Sequence, residues 1–386
     1  MPFVDLHSTD DYASIHYTTN TLFGNVGGFD PKKPLICILP PTFLDVSWLH
    51  PQFNDPRLDA DYNIIAFDMR VIGRSTCRYS GKHDSWVDAA DLAFCHQALQ
   101  LPPFHILALE SISVNCSLRF AALFPEMCLS LALCNVLKWI YTAYDELLQT
   151  WCWADDLETY EYVAMEALTF TLGPGLTCTI QLIAHWEMTM PPTKRQRILE
   201  QANLILNRTP LPAEAYSNIT QPVLIIHVRR FECTLPRKYA ERMAQDLKAV
   251  LYTVKGGGGH LSVLPGTASI VNQVFVKFVS RLPRVGSERV IPTLTVEERM
   301  KEALATLETL TGDASVRSRD PNSSLSFCCL SDDLIHQQTD SLVAYRKGES
   351  LSYSPLAPNG RPIRKYSERP YDDWFESKTE GVSYAG

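Results

Sequence analysis

The chain has 386 residues, of which 46% are hydrophobic and 20% charged, and its formal net charge is -8. This is the balance of a soluble globular protein, long enough for one large domain plus an insertion or for two domains. The acidic excess argues against a nucleic-acid partner, no apolar run is long enough to span a membrane, and no basic-then-apolar start marks a signal peptide, so a cytoplasmic location is expected. Eleven cysteines without a C-x-x-C pair read as reduced, buried small hydrophobes and not as a zinc site.

Residues 1–33 alternate loosely, and Ala13 to Tyr17 fits one strand of an N-terminal hairpin. Pro34 to Leu39 is a strongly apolar run, the mark of a buried strand, and Pro40-Pro41-Thr42-Phe43 ends it. Tyr62 to Phe67 is the next such run and leads into Asp68-Met69-Arg70-Val71-Ile72-Gly73-Arg74-Ser75. From Ser85 to Leu99 the apolar residues Trp86, Ala89, Leu92 and Ala93 favour one side of a helix. Phe104 to Leu109 is a further short apolar run. A polar break, Glu110-Ser111-Ile112-Ser113, follows it, and then Leu118, Ala121, Ala122 and Phe124 recur at helical spacing before Pro125. Strand, sharp turn carrying a serine, helix is the shape of a nucleophile elbow, which presents a hydroxyl at the sheet's edge. Ser130 to Val136 is the strand after it.

This stretch resembles the elbow of the α/β-hydrolase family, where G-x-S-x-G is followed about four helical turns later by an aromatic-Pro-Glu ending. Phe124-Pro125-Glu126 supplies that ending and points to Ser111 as the nucleophile, with Ser113 the alternative. Leu109 and Ser113 stand at the two glycine positions. The turn from Asp68 to Ser75 resembles the family's D-x-R-G-x-G-x-S, with Val71 for the first glycine, and there Asp68 and Arg70 hold loop geometry. The resemblance implies a mostly parallel, doubly wound sheet with a helical cap inserted after the strand at 130–136. It also implies an oxyanion hole built from the N–H of Ile112 and one from the loop after the first buried strand. Pro40 and Pro41 have no N–H to give, so that donor is Thr42 or Phe43.

Beyond Leu137 the character changes. Trp139, Tyr141, Tyr144, Trp151, Trp153, Tyr160, Tyr162, Phe170 and Trp186 crowd into a stretch of helical periodicity that runs to about Ser217. These aromatics either line a pocket for an apolar or aromatic group or form the cap's own core. Gln221 to His227 returns to a buried strand. The family's acidic triad member follows such a strand, and Glu232 is the carboxylate available; it is either that member or a loop carboxylate beside Arg229 and Arg230. Arg237 to Leu247 is an amphipathic helix and Val250 to Val254 the last strand. Lys255-Gly256-Gly257-Gly258-Gly259-His260 then resembles the family's catalytic histidine loop, in the order Ser, acid, His. Thr295-Val296-Glu297-Glu298 opens a helix with a capping box. From Asp313 to Gly386 the chain is rich in Ser, Asp, Pro and Gly and reads as mostly disordered or loosely docked, with the aromatics between Tyr366 and Phe375 read as a solvated tail in preference to a segment that docks or binds a partner.

The expected organisation is a hydrolase core in two parts, 1–137 and 218–283, a helical cap at 138–217, and a C-terminal helix with a largely disordered extension at 284–386. Two functions fit. One is a serine hydrolase with Ser111, Glu232 and His260 as triad, acting without cofactor or metal on an ester or thioester of a small apolar or aromatic substrate, with acyl transfer to another acceptor as a variant. The other is a catalytically inactive fold that binds a ligand or partner, suggested by Leu109, Val71, Pro40-Pro41 and the missing aspartate.

Overall fold

The computed structural model describes residues 2–136, 143–172, 179–228, 237–255, 262–264 and 266–363. β1 (Phe3–His7) and β2 (Tyr12–Thr19) form an antiparallel hairpin. There follow β3 (Leu35–Leu39), two single-turn helices α1 (His50–Phe53) and α2 (Pro56–Asp59), β4 (Asn63–Asp68), β5 (Thr76–Cys77), α3 (Ser85–Ala98), β6 (Phe104–Leu109), α4 (Ser111–Leu123) and β7 (Cys128–Cys134). Between β7 and the next strand lie α5 (Ala143–Trp153), α6 (Leu157–Leu172), α7 (Thr179–Thr189), α8 (Arg195–Leu206) and α9 (Ala213–Asn218), with no strand among the described residues there. The chain then runs through β8 (Val223–Val228), α10 (Arg237–Asp246), β9 (Val250–Val254), α11 (Ala268–Val279), α12 (Val296–Thr311) and α13 (Asp332–Glu349).

The sheet order is β1-β2-β4-β3-β6-β7-β8-β9, with β5 beside β2. From β4 to β9 every neighbouring pair is parallel, and the hairpin adds the antiparallel edge. Helices cover both faces, which is why the central strands read as continuous apolar runs. Side chains alternate between the faces. Cys37, Ile65, Ile106 and Leu133 meet α3, α4, α10 and α12, while Ile36, Ile38, Leu107 and Ala132 share a core with α11 and the helices α5 to α8.

Among the aromatics of the inserted helices, Trp151, Tyr160 and Trp186 are fully buried and pack on one another, with Trp151 and Trp186 ring centroids 4.9 Å apart. They form the cap's own core; Trp153 and Tyr162 stay exposed, and Trp139 and Tyr141 lie outside the described residues.

The capping box at Thr295 is present, with Glu298 returning the bond to the Thr295 N–H. Beyond it, residues 313–363 fold against the body. Val316, Leu325 and Phe327 are buried, and Phe327 packs on Phe124 at 6.4 Å. The Cys329 N–H donates to Asp84 at 2.8 Å and the Ser323 hydroxyl to Asp10 at 2.9 Å. The α13 helix docks on α8, where the Gln196 side chain donates to the Leu342 carbonyl at 3.1 Å. This segment is attached more firmly than its composition suggests, because a few apolar side chains are used fully and the remaining contacts are polar and aperiodic. Residues 364–386, including Tyr366 to Phe375, lie outside the described residues. No helix among the described residues is long and apolar enough to cross a membrane.

Candidate active site

The strand order reverses between β3 and β6, which are hydrogen-bonded neighbours. In an open α/β sheet the crevice outside the carboxyl ends of the strands at such a switch point is where ligands bind. The loop after β3 and the turn after β6 meet there.

The turn after β6 is tight. Leu109 remains in the strand, fully buried, and the left-handed backbone falls on Glu110 (φ 70, ψ 152) and Ser111 (φ 42). Leucine at 109 therefore costs nothing in backbone strain. The strain sits at Glu110, in a region glycine alone adopts freely and one that costs on the order of 1–3 kcal/mol for other residues. Buried bonds hold it. The Glu110 carboxylate accepts from the Ser262 hydroxyl at 2.9 Å and the Ser262 N–H at 3.4 Å. The Gln52 side chain donates to the Ser262 carbonyl at 2.5 Å and to Asn272 at 3.3 Å, and Asn272 donates to Asp55 at 2.9 Å. A hydrogen bond from Arg57 is the main cause that lowers the Asp55 carboxyl to about 2. A buried polar chain thus ties the elbow to the segment that follows the glycine-rich loop.

The two elbow serines have different surroundings. Ser113 donates its hydroxyl to the Pro40 carbonyl, fixing the loop after β3. Ser111 Oγ is buried and has no hydrogen-bond partner among the described residues. The loop after β3 closes with a turn, Leu44 N–H to Pro41 carbonyl at 3.1 Å, that puts Phe43 at φ 62. Phe43 is held there by Trp186, whose indole N–H donates to its carbonyl at 2.9 Å, and by the rings of Trp151 and Trp186 about it. Beside it, the Thr42 hydroxyl accepts from the Ile112 N–H at 3.4 Å.

The turn after β4 supports the same edge. Asp68 accepts from His16 at 2.9 Å and from the Val46 N–H at 2.9 Å, and Arg70 is clamped between Asp11 and Asp91. Both are therefore geometric supports. A Cβ on Gly73 would lie 2.3 Å from the Asp68 carboxylate, so only glycine fits. Val71 adopts φ 57, a rare conformation for a β-branched residue. Its carbonyl is held by Gln201 of α8 at 2.8 Å, while Arg197 of α8 donates to the carbonyls of Gly73 and Ser75 at 2.9 and 2.7 Å. A third link from α8 is Glu200, 3.0 Å from His83, whose other nitrogen is 2.9 Å from Asp88. Burial alone lowers the His83 pKa, but the two carboxylates outweigh it and raise it to about 10. These contacts seat the inserted helices on the carboxyl edge of the sheet.

Glu232 and His260 lie outside the described residues. β8 ends at Val228 and β9 at Val254, and both strands are parallel to β6, so both end on the Ser111 edge. Sequence reasoning did not find Gln52, gave Glu110 only as part of the polar break, and gave Trp186 only as one of the aromatics of the inserted stretch. A glutamate between a strand and a serine reads as part of a polar break, and no local pattern marks a buried bond to a residue 152 positions away.

No family model matches the sequence, and a comparison with curated protein sequences found no match. Solved structures do match. The enol-lactonase from Burkholderia xenovorans is 16% identical with a TM-score of 0.57, the match covering 72% of this chain and 100% of that one. An esterase from Exiguobacterium antarcticum is 15% identical with a TM-score of 0.56, over 72% and 100%. An α/β-hydrolase enzyme from a deep-sea metagenome library is 14% identical with a TM-score of 0.55, over 75% and 100%. With a mostly parallel sheet covered by helices on both faces, these similarities show that the chain has the α/β-hydrolase fold.

Proposed function

We propose that the protein is a serine hydrolase that cleaves an ester or thioester of a small apolar or aromatic substrate through an acyl-enzyme. Ser111 attacks the acyl carbonyl, His260 takes its proton and passes it to the departing alcohol or thiol, water then releases the acid from Ser111, and Glu232 orients the imidazole and stabilises its charge. The N–H of Ile112, with that of Thr42 or Phe43, stabilises the oxyanion. Transfer of the acyl group to an acceptor other than water uses the same steps. The observation that carries this reading is the Ser111 hydroxyl: at the switch point, on a left-handed residue, with no partner of its own among the described residues. The structural neighbours, among them esterases and an enol-lactonase, support ester chemistry in general. Turnover of a short-chain aryl ester by wild type and by Ser111→Ala tests it. Wild-type turnover that Ser111→Ala abolishes supports the reading, and equal rates refute it.

One observation favours a second reading, a fold that binds a ligand or partner without turnover. The Ile112 N–H already donates to the Thr42 hydroxyl, so a substrate oxygen has to displace that hydroxyl before it can be stabilised. Thr42→Val separates the two. In a hydrolase, freeing the N–H preserves or raises turnover; in a binding protein, neither variant nor wild type hydrolyses the ester.

A further inference from the structure

A groove of about 1190 Å³ opens between α4, α9 and α10. Pro222 and Val223 at the start of β8 and Leu247 and Lys248 just before β9 line it, so it lies at the amino ends of these strands. Ser111 sits at the carboxyl edge, a strand's length away, roughly 17–20 Å. The groove is not the site described above.

Its charge is unbalanced. Arg208, Arg242 and Lys248 line it against one carboxylate, Asp246, in a chain whose net charge is -8. Asp246 faces Arg242 at 3.9 Å, with both side chains well exposed. Among the described residues that leaves Arg208 and Lys248 without a counter-ion on the groove wall. Arg208 is the unusual one. Its Nη2 is shielded from solvent and has no hydrogen-bond partner among the described residues. Burial is the main cause that disfavours its charge; Tyr239 acts the other way, and the neighbouring Arg119 adds to the burial effect.

Arg119 adds a second cation behind it. It is 1% exposed, stacks over Trp86 at 4.9 Å, and donates through Nη2 to the Thr209 carbonyl at 2.7 Å, while its Nε has no partner among the described residues. Burial disfavours the Arg119 charge and Asp84 favours it, but the Asp84 oxygens accept from the backbone N–H groups of Trp86, Val87 and Cys329. Two adjacent guanidinium groups with unused, shielded N–H donors are costly to fold unless something anionic joins them. Guanidinium forks match planar or tetrahedral oxyanions. The rest of the wall is apolar or phenolic, with Leu118, Leu211, Met243, Tyr216 and Tyr239.

We propose that this groove is a binding site for a small amphiphilic oxyanion. A phosphate or carboxylate sits on Arg208, its charge supported by Arg119 and Lys248, and an apolar or aromatic body lies along Leu211, Met243 and the two tyrosines. The inference does not depend on hydrolase activity.

The test is calorimetric binding of phenyl phosphate, benzoate and inorganic phosphate at one fixed ionic strength, together with melting temperatures, for wild type, Arg208→Met and Lys248→Gln. Phenyl phosphate above benzoate assigns the site to phosphate, and the reverse order assigns it to carboxylate. Either aromatic anion binds at least tenfold more tightly than inorganic phosphate. Arg208→Met keeps the apolar stem, so it loses at least tenfold in affinity while its melting temperature stays level or rises. Lys248→Gln, on the exposed rim, weakens binding a few-fold. No heat from any of the three anions, unchanged affinity in Arg208→Met, or a lowered melting temperature in Arg208→Met overturns the proposal, the last by making Arg208 a structural group.

Discussion

Replacing Phe327 by alanine tests whether the segment after α12 is part of the folded body. The ring is fully buried, 6.4 Å from Phe124 at the end of α4, in the core shared by α3, α4 and α12. Removing a buried phenylalanine costs about 3–5 kcal/mol, the transfer of the lost atoms plus the cavity they leave. At roughly 2 °C per kcal/mol, the lower end for domains of a few hundred residues, the melting temperature falls by about 6 °C or more. Thermal unfolding followed by circular dichroism measures this. Limited proteolysis, with cleavage sites mapped, shows whether 313–330 becomes the first region cut. Leu351→Ala is the control, because Leu351 is 87% exposed and its loss costs at most about 0.5 kcal/mol. A Phe327→Ala protein within about 0.5 kcal/mol of wild type would show that the segment swings free in solution.

His83 makes stability depend on pH. Its folded pKa is raised from 6.5 to about 10, so its contribution is complete below about 6.5 and is lost as pH rises through about 10. Denaturant unfolding between these pH values gives a falling profile for wild type and a flatter one for His83→Gln; equal slopes would contradict the buried link to Asp88 and Glu200. Glu110 predicts a split in the kinetics, given ester turnover. Glu110→Ala frees Ser262 and lets the elbow shift, and misplacement by about 1 Å costs on the order of 10²-fold. The loss falls on kcat with KM little changed, and Glu110→Gln, which keeps an acceptor oxygen, recovers part of it. A Glu110→Ala rate within threefold of wild type removes the positioning role.

The parts of the fold that were legible are those carried by periodicity or by a motif with a steric cause. Pro34 to Leu39 and Phe104 to Leu109 are apolar without a break because both sheet faces are covered, and they became β3 and β6. Gly73 stood out because Asp68 leaves no room for a side chain. The glycine pattern of the elbow was a poorer guide. It directed attention to Leu109, whereas the left-handed residues are Glu110 and Ser111, and the strain at Glu110 is held by a bond to Ser262 that no local pattern signals. The distinction between Ser111 and Ser113 was legible only as a distance to Pro125; the structure adds that Ser113 is bonded to the Pro40 carbonyl. The docking of 313–363 was not legible, because it rests on Phe327, Leu325 and Val316 used singly and on side chain to backbone bonds such as Asp84 to Cys329. The aromatics of the inserted helices could equally have faced a substrate or one another. Trp151, Tyr160 and Trp186 chose one another and Phe43, which fixes the loop after β3.

The central claim is that Ser111 is a nucleophile. Intact-mass spectrometry after exposure to a fluorophosphonate probe, with peptide mapping of the adduct, measures it directly in wild type, Ser111→Ala and Ser113→Ala. The account predicts a single adduct in wild type, mapped to Ser111. Ser113→Ala keeps the adduct and gains it more slowly, because the loop after β3 loses its tie to α4, and Ser111→Ala carries none. An adduct that persists in Ser111→Ala, or a wild type that never labels while its thermal unfolding shows it folded, contradicts the claim.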